Sequence, residues 1–131
     1  MTRTEIRIDE ARVLLAQGKY DGAYYLAGYA VECALKACIA KRTRPDDFLD
    51  RTFAQQCYTH NIAVLLDLTG LLSQRDADAA ADGAFKDNWE VVEDWTEASR
   101  YTRQTQAEAQ QLYDAITDSL HGVLPWLKLR W

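Results

Sequence analysis

The chain has 131 residues, 48% of them hydrophobic, only six glycines and two prolines, and a formal net charge of −5. That length supports one core in a single domain, residues 1–131, burying roughly two-thirds of the surface exposed on unfolding. The composition argues against disorder, and the negative charge argues against a general nucleic-acid binder, which needs a basic surface to neutralise phosphates.

The first predicted helix covers about residues 4–17, with Ile8, Ala11, Leu14 and Leu15 facing inward and Gly18 placed as a left-handed cap. Asp21 is a candidate cap for the next element. From Gly18 to Lys41 there is no proline and there are only five charged side chains. Ala23, Ala27, Ala30, Ala34 and Ala37 recur at steps of three and four, with Leu26, Val31, Leu35 and Ile39 between them, so nearly every direction around the axis is apolar. This pattern predicts a buried central helix whose small side chains let neighbours approach closely. Lys41 and Arg42 complement its dipole before Thr43, Arg44 and Pro45 break the pattern.

Residues 46–57 read as a connector with a short helical turn. Thr59 or Asn61 can cap a helix carrying Ile62, Leu65, Leu66 and Leu68. Residues 73–84, capped by Ser73, read as a short peripheral helix. Phe85, Trp89 and Val92 form an apolar stripe that runs to Trp95 and a turn near Thr96. The last helix spans about residues 102–124, with Leu112, Ile116, Leu120 and Val123 on its inner side, and Pro125 stops or bends it before the tail of Trp126, Leu127 and Trp131. The sum is an all-α, up-and-down bundle of four main helices plus one or two short helices.

Glu32 and Lys36 interrupt the most apolar run, so no membrane span is predicted. An amino terminus without the apolar stretch of a signal peptide points to the cytoplasm, and Cys33, Cys38 and Cys57, an odd number without C-x-x-C spacing, agree with a reducing compartment and read as small buried hydrophobes. No metal or cofactor is expected, since no ligand cluster, phosphate-cradling glycine loop or H-E-x-x-H is present. Between Arg75 and Glu97 eight acids stand against Arg75 and Lys86, and Arg100, Arg103, Lys128 and Arg130 follow that acidic block.

Taken together and in order, Ala11, Leu14, Leu15, Gly18, Tyr20, Asp21, Ala23, Ala27, the run Ala30-Val31-Glu32, the run Ala34-Leu35-Lys36-Ala37, Thr59-His60-Asn61-Ile62, Leu65, Leu66, Asn88-Trp89, Trp95 and Arg100-Tyr101 resemble the HEPN domain (higher eukaryotes and prokaryotes nucleotide-binding). The resemblance implies a helical bundle that commonly forms a homodimer. It also implies a superfamily divided between metal-independent ribonucleases, among them toxins of toxin-antitoxin pairs, and non-catalytic domains that bind nucleotides or accompany a small nucleotidyltransferase.

The ribonuclease branch carries an arginine followed after four to six residues by a histidine near the start of the last helix. Here Arg100 is followed at those distances by Thr105, Gln106 and Ala107, and Arg103 by Glu108, Ala109 and Gln110. The pair is absent, and with it the base that would take a 2′-hydroxyl proton beside a cation that stabilises a phosphorane.

Candidate nucleotide- or phosphate-binding residues are Arg100, Tyr101 and Arg103 at the predicted entrance of the last helix, and Lys36, Glu32 and Tyr29 on the central helix, with His60 at the start of its own. Glu32 and Lys36, four apart, form an ion pair or meet a ligand, and Tyr25 and Tyr29 lie on nearly the same face, where they either stack a base or belong to the core or an interface. Arg100 either meets a phosphate or pairs with Glu97 or Asp94. His121 reads as a solvated partner of a helix end.

Three functions remain open. One is a non-catalytic HEPN-type domain that binds a nucleotide or RNA end, or partners a separately encoded nucleotidyltransferase. The others are a ribonuclease toxin assembled from Arg100 with His60 or His121, and a structural dimerisation module.

Overall fold

The computed structural model describes residues 1–42 and 51–131. The predicted break at Thr43, Arg44 and Pro45, and the first part of the predicted connector, lie outside the described residues.

Helix α1 (Arg3–Ala16) opens with a reciprocal cap, in which Thr2 accepts from the Glu5 amide and Glu5 accepts from the Thr2 amide. It closes at Gly18, whose φ of 73° lets the Lys19 amide turn back to the Leu14 carbonyl at 2.8 Å. Helix α2 (Tyr20–Arg42) follows and is the centre of the molecule, packed against α1 and four later elements. Its small residues serve that position: Ala23, Ala27, Ala30 and Ala34 are buried, and so is Gly28. Asp21 does not cap it; its carboxylate instead accepts the Gln104 amide at 2.6 Å, tying the start of α2 to a distant loop.

Helix α3 (Arg51–Gln56) precedes α4 (Ile62–Leu68), which Asn61 caps by accepting from the Val64 amide at 3.0 Å. Helix α5 (Leu72–Ala81) buries none of its residues, as its composition foretold, but Ser73 is not its cap, because the helix already includes that residue. Asp82 ends α5 and caps α6 (Gly83–Glu93), accepting from the Ala84 and Phe85 amides. The predicted stripe of Phe85, Trp89 and Val92 is buried, joined by Trp126 in an edge-on aromatic group.

The carboxyl-terminal third departs most from expectation. A 3-10 helix (Glu97–Tyr101) precedes α7 (Gln106–Thr117), which Thr105 and Glu108 cap reciprocally. The single long helix is broken after Thr117, because Asp118 accepts from the Leu120 and His121 amides and so holds a tight turn. Leu120 lies on that turn and is 83% exposed, not inward-facing. Pro125 neither stops nor bends a helix; it sits in the first turn of α8 (Val123–Lys128), where its missing N–H is no loss. The four main helices are α1, α2, α6 and α7, and the short ones are more numerous than the one or two expected. Among the described residues there is no strand.

Candidate functional site

Tyr25, Tyr29, Glu32 and Lys36 follow one another on α2 at steps of four, three and four, which places them on one side of the helix. Tyr25 and Tyr29 stack with ring centroids 6.0 Å apart. Beyond them Glu32 is only 2% exposed. A buried carboxylate needs partners, and among the described residues it has two: His60 Nδ1 lies 2.7 Å from Oε1, and Lys36 Nζ lies 3.5 Å from Oε2. With the carboxylate accepting, Nδ1–H of His60 is the donor, so Nε2 is the ring nitrogen left for other chemistry. The His60 side chain is 47% exposed and stands just before the Asn61 cap that fixes the start of α4.

At the other end of the tyrosines is Arg100. Its guanidinium donates to the Tyr101 hydroxyl, lies 4.7 Å from the centre of that ring, and is 3.5 Å from Glu97 Oε1. Bonds to the Tyr101 and Tyr25 hydroxyls raise its pKa further. Arg100, Tyr101, Tyr25 and Tyr29 thus form one linked group along α2, and Glu32, Lys36 and His60 form a second on the same side of the helix. Arg103 is in neither group; it lines a separate hollow of 390 Å³ with Lys19, Tyr20 and Gln104. Nor do Arg100 and Arg103 stand at a helix entrance with free amides, because α7 begins only at Gln106 and its cap is occupied by Thr105 and Glu108.

Neither histidine is a partner of Arg100 among the described residues. His60 is held by Glu32, and His121 Nδ1 lies 2.6 Å from Asp82 Oδ2, where the bond raises the imidazole pKa and lowers that of the carboxylate. His121 is therefore a specific ion-pair partner rather than a solvated helix-end residue, and its carbonyl also accepts from Asn88 Nδ2 at 2.9 Å.

The polar end of the band opens into a groove of 540 Å³ between the first turn of α1 and the middle of α2. Arg3, Thr4, Tyr29, Glu32, Lys36 and Trp131 are in its wall. Arg3, Thr4 and Trp131 carry no local sequence signal, since the groove exists only where the two ends of the chain meet on α2. Cys33 also borders it, with its thiol pushed upward first by burial and then by the charge of Glu32. Among the described residues no group of His, Cys, Asp and Glu could hold a metal ion, and no helix is long and apolar enough to cross a membrane.

A helical bundle organised around one central helix with a buried, doubly partnered acid is the class of protein these residues define. The HEPN domain family matches residues 1–126, and the chain belongs to that family. No curated protein and no solved structure gives a significant match.

Proposed function

We propose that this HEPN domain is non-catalytic and binds a nucleotide or an RNA end along α2, either for itself or as the partner of a separately encoded nucleotidyltransferase, and that it works as a cytoplasmic homodimer. The observation that carries the reading is that Arg100 and the two imidazoles have different partners: the cation is held by Tyr101 and Glu97, while His60 and His121 are each held by a carboxylate. Metal-independent RNA cleavage needs the base and the cation at one phosphate. The band offers instead what recognition uses, namely aromatic faces between cationic groups.

Incubating the purified protein with RNA should leave the RNA intact, with saturable binding of nucleotides or oligonucleotides, or co-purification with a nucleotidyltransferase encoded nearby. RNA cleavage that disappears in Arg100→Ala would overturn the proposal.

A second reading rests on the contact between Glu32 and His60. A buried carboxylate that orients an exposed imidazole is also how a general base is positioned. Growth arrest on expression, relieved by His60→Ala, would favour a ribonuclease toxin; unaffected growth counts for the non-catalytic domain.

A further inference from the structure

The groove at the polar end of α2 contains donors that the internal contacts of the protein leave unused. Arg3 has no hydrogen bond or salt bridge among the described residues, although its charge acts on Tyr29 and Cys33 across the groove. Among the described residues Lys36 has only its 3.5 Å approach to Glu32, whose other oxygen is taken by His60. Thr4 is 3% exposed as a residue and lies in the wall, and no hydrogen bond among the described residues uses its hydroxyl, which is left to face the groove. Two cations and one hydroxyl form a donor set for an anion with several acceptor oxygens, and Tyr29 and Trp131 give the same groove aromatic walls.

We infer that this groove holds the terminal phosphomonoester of a nucleotide, free or at an RNA end, with Arg3, Lys36 and Thr4 on the phosphate and Tyr29 and Trp131 against the base. The inference rests on the nucleotide-binding reading above and adds to it a location and a chemical class. A terminal phosphate fits better than an internal diester because it presents one more anionic oxygen to the three donors. The volume of 540 Å³ lies within the range of small-molecule sites and suits one nucleotide. Glu32 is held by His60 at one oxygen and approached by Lys36 at the other, and the ammonium, with three N–H donors, bridges that carboxylate and the phosphate.

The test is calorimetric titration of the full chain with the four common nucleoside 5′-monophosphates, and with a short oligonucleotide carrying either a 5′-phosphate or a 5′-hydroxyl. The phosphorylated ligands should bind, and Arg3→Gln should weaken them about tenfold. Thr4→Val, which keeps shape and removes the hydroxyl, should weaken them several-fold while circular dichroism shows an unchanged fold. Mononucleotide binding would identify a free ligand, and binding of the phosphorylated oligonucleotide alone an RNA end; either supports the inference. Equal binding of the 5′-hydroxyl oligonucleotide would overturn it. So would binding indifferent to Arg3→Gln and Thr4→Val but lost in Arg100→Gln, which leaves the nucleotide-binding reading standing at the other end of the band. No binding of any of these ligands would overturn both.

Discussion

Gly28 lies directly against the indole of Trp95: a Cβ at that position would stand 2.3 Å from three of the ring atoms. The contact presses the chain that leads into the 3-10 helix onto α2, and so brings Arg100 to Tyr25. Gly28→Ala should therefore lower stability by about 1–3 kcal/mol through overpacking, in spite of the better helix propensity of alanine. Thermal unfolding measures the loss, and Trp95→Leu in the same chain should recover part of it. An unchanged melting temperature in Gly28→Ala would show that the ring moves aside freely.

The partners of Glu32 are unequal in exposure to Glu32 itself, and this sets the order of the variants. His60→Ala leaves one oxygen of a buried carboxylate without its closest partner and should cost about 1–3 kcal/mol. Glu32→Gln removes the buried charge, while His60 and Lys36 remain partly in water, so it should cost less. The double variant His60→Ala with Glu32→Gln should be less destabilised than the sum of the two, and denaturant unfolding of all four proteins measures the coupling.

The bond between His121 and Asp82 makes stability depend on pH from both sides. His121 lies above its ordinary 6.5, chiefly because Asp82 accepts from it, so its contribution is full below that value and is lost as pH rises through the higher folded one. Asp82 lies below its ordinary 3.8, chiefly through the same bond, so its contribution is present above that value and is lost as pH falls through the lower folded one. Asp118 also faces the imidazole and adds to its upward shift. The melting temperature of His121→Gln should fall furthest below that of the parent between the ordinary values of the two groups, 3.8 and 6.5, and the two should converge as pH rises through the raised histidine value. A constant difference across that range would exclude the ion pair as its source.

Asp82 has a second task, as cap of α6. Asp82→Asn can still accept the Ala84 and Phe85 amides but gives up the charge facing His121, whereas Asp82→Ala loses both. Melting temperatures should fall in the order parent, Asp82→Asn, Asp82→Ala, and the gap between the two variants should persist at alkaline pH while the gap between parent and Asp82→Asn closes.

The helices were legible because their causes are local. The alanine steps of α2, the glycine after α1, the asparagine before α4 and the stripe of Phe85, Trp89 and Val92 act within one or two turns, and they led to the bundle and the central place of α2. The last helix was misread where a side chain overrode periodicity, since Asp118 captures amides that would have continued it. The candidate site was half legible: Tyr29, Glu32 and Lys36 share a face by spacing alone, but nothing near His60 announces a carboxylate 28 residues away.

What the amino-acid order decided without help was the first two helices, the apolar stripe of α6, the burial of α2 and the lack of an arginine and histidine at ribonuclease spacing, because periodicity, capping and motif spacing are properties of neighbouring residues. Tertiary packing alone decided that His60 completes Glu32, that Arg100 rests on tyrosines, and that Arg3, Thr4 and Trp131 meet over Lys36. Those contacts join residues far apart along the chain, and their geometry follows from how whole helices fill the core.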